Sequence, residues 1–188
     1  MNRKEDKKEL VKRAQSGDWK SFEELVDIYK DKVYSIALTL TKDRIEAEEV
    51  SHLAFLKLWR KIGKFKFKSS FSTWFYRLTH NTFYDYVRKK KRKKKSTVAI
   101  DKFYSLKSNS NPYDSVKDEE ARELIKKALK EVPEKLRMVV VYYDLQGMSY
   151  KEISKVIRRP MGTVKSRLSR GREILKQELG NIMGSQHV

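Results

Sequence analysis

The sequence predicts an all-α fold: two small helical domains joined by a flexible linker, the second containing a helix-turn-helix. Three observations predict it. Apolar residues recur at steps of three and four along most of the chain, and no window alternates with the period of a strand. Residues 96–118 are polar, include an Asn111–Pro112 step and hold no sustained period, which reads as a linker. Beyond them a capping box, a proline and a second amphipathic segment follow in helix-turn-helix order. The resulting boundaries are 1–95 for the first domain, 96–118 for the linker, 119–180 for the second domain and 181–188 for a tail.

The elements follow in order. Phe22, Leu25, Tyr29, Val33, Ile36 and Leu40 share one helix face, with Asp18 placed to cap its start. After a break at 41–43, a second helix reaches about Ile62, with Val50, Leu53, Ala54, Leu58 and Trp59 in register and Gly63 ending it. A third starts at Ser72, carries Phe75, Leu78, Thr82 and Tyr86 as its inward stripe, and runs into RKKKRKKK (88–95). That stripe leaves Trp74, Tyr76, Phe83 and Tyr84 at other angles. After the linker, Ala121, Leu124, Ile125, Ala128 and Leu129 mark a helix closed by Pro133, and segments 133–145, 149–157 and 162–179 complete the second domain.

In that domain Ser149 and Glu152 have capping-box spacing, and Ile153, Val156 and Ile157 form an apolar face. Pro160 interrupts the chain. On the next helix Leu168, Gly171 and Leu175 fall within about 40° of Val164, so Gly171 is a close-approach position. Ser166, Ser169 and Arg170 point away, Thr163 and Lys165 lie to the sides, and Arg167 sits at the margin. Such a face suits base edges and phosphates.

Charge narrows the function. A net charge of +19 points to a polyanionic partner, nucleic acid or an anionic membrane surface. Residues 61–95 hold 13 basic side chains and one acid; residues 147–179 hold nine and three. Two basic surfaces imply two contacts. No apolar run approaches the roughly 20 residues that span a bilayer, so no membrane insertion is expected. The first residues lack the apolar middle of a secretory signal. The chain has no cysteine, which excludes disulfides and cysteine-ligated zinc. A cytoplasmic protein without a cofactor is the expectation.

The stretch FKFKSSFSTWFY (65–76) interleaves six aromatic residues with lysines and serines. For any one ring the core is an equal claimant, but rings beside lysines form the surface that stacks single-stranded bases at about 1–3 kcal/mol each. The whole points to unpaired nucleic acid. RKKKRKKK could be a solvated helix end, a membrane-surface patch or a phosphate clamp, and its place after the aromatic helix favours the clamp.

These residues resemble a known family. EAEEVSHLAFLKLW (46–59), FSTWFYRLTHNTFYDYVRKKKR (71–92) and residues 132–175 are similar, in order and separation, to three segments of bacterial RNA polymerase sigma factors. The group resembled is the small extracytoplasmic-function (ECF) subfamily of the sigma-70 family. The resemblance implies a factor that binds core RNA polymerase and directs it to promoter DNA, reading a duplex −35 element and a melted −10 element. By that resemblance Glu48, Glu49, His52, Leu53 and Leu56 contact core polymerase. Lys64, Phe65, Lys66, Phe67, Lys68, Ser69, Ser70 and Asn81 hold a flipped −10 base, supported by Trp74 and Arg77. Arg88, Lys89 and Arg92 lie in the run that tracks phosphates. Lys165, Ser166, Arg167 and Arg170 read the −35 element, with Arg159 and Thr163 on its backbone. Such factors are often held inactive by an anti-sigma partner.

Two positions depart from the family pattern. His52–Leu53 stands where a glutamine followed by an acid is usual, and Arg158 replaces the usual small turn residue. An enzyme is not expected: His52, His80 and His187 have no metal spacing, and GTVKS lacks the adjacent Gly-Lys of a phosphate loop. A stand-alone helix-turn-helix regulator would leave the first domain's aromatics idle. A membrane-surface protein explains only the charge.

Overall fold

The computed structural model describes residues 3–94 and 119–184, and every regular element among them is helical. The chain divides into two compact units; the predicted linker falls outside the described residues.

The first unit holds α1 (Arg3–Gln15), α2 (Trp19–Thr41), α3 (Arg44–Lys61) and α4 (Phe71–Lys94). Helix α1 carries no strong period to announce it, because its charge-dense segment offers only Leu10, Val11 and Ala14 as an apolar stripe. All three are buried where α1 packs on α2. Asp18 stands at the N-cap of α2, but its carboxylate accepts from the Ser21 hydroxyl rather than from a backbone amide. Lys42 ends α2 in the left-handed conformation, donating its N–H to Leu38 O at 2.8 Å. Asp43 caps α3 by accepting from Glu46 N at 2.9 Å. One 3-10 turn, Ile62–Lys64, then follows α3.

Leu25, Val33 and Ile36 of α2, Ala47, Val50, Ala54 and Leu58 of α3, and Phe75 of α4 form the core of this unit. The buried face of α4 is wider than the predicted stripe. Tyr76 and Phe83 are buried with Phe75 and Thr82, whereas Leu78 and Tyr86 are only half-buried. The cause is that α4 packs against both α2 and α3, so both flanks of its inner face are covered.

The second unit holds α5 (Glu119–Glu131), α6 (Glu134–Val140), a π-helical turn (Val141–Leu145), α7 (Tyr150–Ile157) and α8 (Met161–Gly184). The last helix runs past the predicted boundary at 180 into the expected tail. The capping box at α7 is complete: Glu152 N donates to Ser149 Oγ at 3.3 Å and Ser149 N to Glu152 Oε2 at 3.0 Å. Arg137 is buried although charged. Its Nη1 donates to Val132 O at 3.2 Å, Lys130 O at 3.3 Å and Leu129 O at 3.4 Å, closing the C-terminal end of α5.

Arg158 ends α7 at φ 53°, ψ 51°, in the left-handed region. An L-residue there costs about 1–2 kcal/mol that glycine does not. The side chain is exposed. Arg158→Gly should therefore stabilise the second unit by about 1 kcal/mol, after the extra chain entropy of glycine, which thermal unfolding would read.

Candidate nucleic-acid interface

Helix α4 is two-sided. Opposite its buried rings, Trp74, Arg77, Asn81, Arg88 and Arg92 occupy a sector of about 60°. Asn81, Arg88 and Arg92 are exposed, as is Lys89 at the margin, while Trp74 and Arg77 are half-buried. Asp85 falls on the same face and is the acid that interrupts it. It accepts from Lys57 of α3 at 2.8 Å and from Arg88 at 2.6 Å. The Lys57 ammonium first, then Arg88, holds its carboxyl below the usual range. Lys90 of the basic run is likewise paired with Glu46 of α3. Such exposed pairs contribute little stability; their effect is to fix which cations remain available, and Arg92 and Lys89 stand on the outward side.

The loop before α4 resolves the question of the rings. Phe65 is buried, 4% exposed, against Phe67 (4.7 Å between centroids), Trp74 (5.2 Å) and Phe71 (5.5 Å). Its ring, expected at a base, is thus packed among its neighbours and anchors the loop. Phe67 is the ring that faces out, 37% exposed and at φ 55°. A bulky residue in the left-handed region is an outlier held by its surroundings. Lys64, Lys66 and Lys68 are exposed around it and Ser69 is half-buried. Ser70 caps α4: its Oγ accepts from Thr73 N at 3.2 Å and lies 2.6 Å from the Thr73 hydroxyl, so that hydroxyl is engaged within the protein.

In the second unit α7 and α8 form the predicted helix-turn-helix. Val164 and Leu168 are buried and Lys165, Ser166 and Arg170 exposed; Thr163 and Arg167 are half-buried. The projection of α8 thus places its outward face as expected. Ser166 donates its hydroxyl to Thr163 O at 3.1 Å, which leaves its oxygen to accept from a base donor. Lys165 Nζ lies 5.8 Å from the centroid of Tyr150, which stacks on Tyr143 at 4.9 Å and 16°. Arg159 is exposed in the turn, its N–H donating to Ser154 O at 3.1 Å.

A third surface lies on α3. Ile45, Glu49, His52, Leu56 and Trp59 follow steps of four and three and fall within about 40° of one line. Ile45, Leu56 and Trp59 are exposed at 78%, 42% and 39%. Glu48 and Leu53, both half-buried, flank the seam. Trp59 packs edge-on against Phe22 at 4.7 Å and Trp19 at 5.1 Å. Neither Ile45 nor Trp59 was among the expected contact residues. The 4-3 spacing carried through from 45 to 59 is the signal that locates them.

The family description "Sigma-70 region 2" matches residues 25–93, and "Sigma-70, region 4" matches residues 122–175. The ECF RNA polymerase sigma-E factor of Escherichia coli K12 is 34% identical over 177 residues, covering 90% of this chain and 92% of that protein. The chain belongs to the sigma-70 family, in its ECF group. The ECF sigma factor SigW of Bacillus subtilis is 32% identical over 182 residues, covering 93% of this chain and 97% of that protein. Two solved structures share the fold of this sigma factor. RpoE of Bartonella quintana, in complex with the anti-sigma factor NepR, has a TM-score of 0.68 at 24% identity, covering 86% of this chain and 98% of RpoE. CnrH in complex with the cytosolic domain of CnrY has a TM-score of 0.67 at 19% identity, with coverages of 92% and 96%. Among the described residues no helix of the sigma factor is long and apolar enough to cross a membrane.

Proposed function

We propose that this ECF sigma factor acts without catalysis of its own, in the cytoplasm, by bringing core RNA polymerase to a promoter through three separate surfaces. The exposed α3 seam takes core polymerase. The outer face of α4 with loop 64–70 takes the melted −10 strand, and the outer face of α8 takes the −35 duplex. An anti-sigma protein is a further partner of the same reading, by analogy with RpoE, whose structure holds one.

The observation that carries the reading is the position of Asn81. Its amide is exposed on the face of α4 that also carries Trp74, Arg77 and Arg88, on the helix that follows a lysine-rich loop. An amide can both donate to and accept from a base edge, while the neighbouring cations meet phosphates and Trp74 supports the site from the flank. A helix that needed only solubility has no use for this arrangement.

The chain with core polymerase should yield promoter-dependent transcripts, and the chain alone should bind duplex weakly. Tight duplex binding with no effect on polymerase would favour the stand-alone regulator instead. Two substitutions separate the DNA surfaces. Asn81→Ala should reduce discrimination within the −10 element, and Arg170→Ala should reduce dependence on the −35 element, each by about 5- to 150-fold, the range of 1–3 kcal/mol per specific base contact. Losses that are equal on every sequence would identify both residues as phosphate contacts.

A further inference from the structure

The loop proposed to hold the −10 base is tied to the helix that the sequence did not reveal. The Gln15 side chain, at the C-terminal end of α1, donates from Nε2 to Ile62 O and to Phe65 O, both at 2.8 Å. Both hydrogens of one amide are thereby engaged, and the two carbonyls lie at either end of a single tight turn. Ile62 O also accepts from Phe65 N at 3.0 Å, closing that turn. The bonds span 47 and 50 residues of sequence, so nothing local substitutes for them. Lys8, two turns earlier on α1, places its Nζ 5.9 Å from the centroid of Phe67. Helix α1 itself is anchored by Leu10, Val11 and Ala14, which are buried.

We propose that Gln15 is a positioning residue for −10 recognition: it pins the backbone at 62 and 65, and thereby fixes where Phe67 and the lysines of residues 64–68 meet the extruded base. This rests on the reading of the loop given above. The physical reason is leverage. Phe65 leaves the turn with its ring buried, and two residues later Phe67 adopts a left-handed conformation with its ring turned outward. A displacement of the turn by a fraction of an ångström is carried into every side chain that follows. Recognition by stacking and hydrogen bonding depends on such placement far more than non-specific phosphate attraction does. Gln15 touches no base and works only through the loop.

The test uses holoenzyme assembled from the full chain and core polymerase, on promoter templates carrying each of the four bases at each −10 position. Gln15→Met keeps the reach of the side chain and removes both donors; Gln15→Glu also sets a carboxylate against two carbonyls. Both should lower the preference for the best base by at least fivefold, Gln15→Glu the more. Amide exchange in residues 62–70 should accelerate at least tenfold, while affinity for core and dependence on the −35 element stay within twofold. Gln15→Lys, which restores donors at similar reach, should recover part of the preference. Glu9→Ala, on the exposed side of α1, should change none of these. Unaltered exchange, or faster exchange with unaltered base preference, overturns the proposal. Absence of promoter dependence in the wild-type chain would overturn the sigma reading instead, and the exchange measurement would still decide whether Gln15 pins the loop.

Discussion

Leu56→Arg should lower the affinity of the chain for core RNA polymerase by about 30- to 1,000-fold while leaving its fold intact. Leu56 is 42% exposed within the α3 seam, so an arginine there meets water in the free protein and strains nothing. In the proposed complex the same position would be covered, since Leu56 lies on one line of the helix with Ile45 and Trp59. An apolar row at steps of four and three is the form of surface that takes a partner helix, each side chain entering a gap between partner side chains. Burying a guanidinium within that row costs its hydration and also removes the leucine contact. Loss of a central anchor at an interface is worth about 2–4 kcal/mol, which is 30- to 1,000-fold. Leu58→Ala supplies the contrast. Leu58 is fully buried, so that change should destabilise the whole first unit by about 2–5 kcal/mol and disturb every activity together. Co-purification with core, set beside thermal unfolding, separates the two. Core binding by Leu56→Arg at wild-type strength would remove α3 as the docking helix.

Much of the fold was legible because helices advertise themselves by period. The rows Phe22 to Leu40 and Val50 to Trp59 were readable along one strand of text; the first became a buried face, and the second did so at Val50, Ala54 and Leu58, with Leu53 half-buried and Trp59 exposed. The helix-turn-helix was readable for the same reason, reinforced by the Ser149–Glu152 box, whose two halves are only three residues apart. What stayed hidden depends on contacts distant in sequence. Helix α1 has three apolar residues among many charges and becomes a helix of the unit only by docking on α2. Arg137 looks like a surface residue until the end of α5 folds over it. The burial of Tyr76 and Phe83 follows from α4 having two neighbours rather than one. The candidate site divides in the same way. Arg170 could be placed outward and Lys165 to the side from angle alone, and Asn81 came from the resemblance, whereas Phe65 and Phe67, two residues apart in one loop, could be told apart only by the backbone that buries one ring and exposes the other.

The same substitution at two glycines of α8 should move stability in opposite directions. Gly180→Ala should stabilise the second unit by up to about 1 kcal/mol, since a methyl group there meets nothing within 4 Å and alanine is the better helix former. Gly171→Ala carries the same gain in propensity and should nonetheless destabilise the unit by about 1–3 kcal/mol. A Cβ at 171 would lie 2.7 Å from Val140 Cγ2, 3.3 Å from Leu136 O and 3.4 Å from Leu136 Cβ. Val140 is branched at Cβ and buried, so its methyl has no free rotamer to adopt, and a backbone carbonyl cannot rotate away. Relief comes only if α6 and α8 separate. Residue 171 directly follows Arg170 and lies less than two turns from Lys165, so separation also tilts the face proposed to read the −35 element. Thermal unfolding should register the opposite signs, and transcription from promoters that depend on their −35 element should fall for Gly171→Ala alone. Comparing the two variants cancels the propensity gain and the loss of chain freedom common to both, and what remains is the close approach of α6 to α8. A stabilising effect at both positions would mean that the two helices can part freely, and that α8 is not held where its outward face requires.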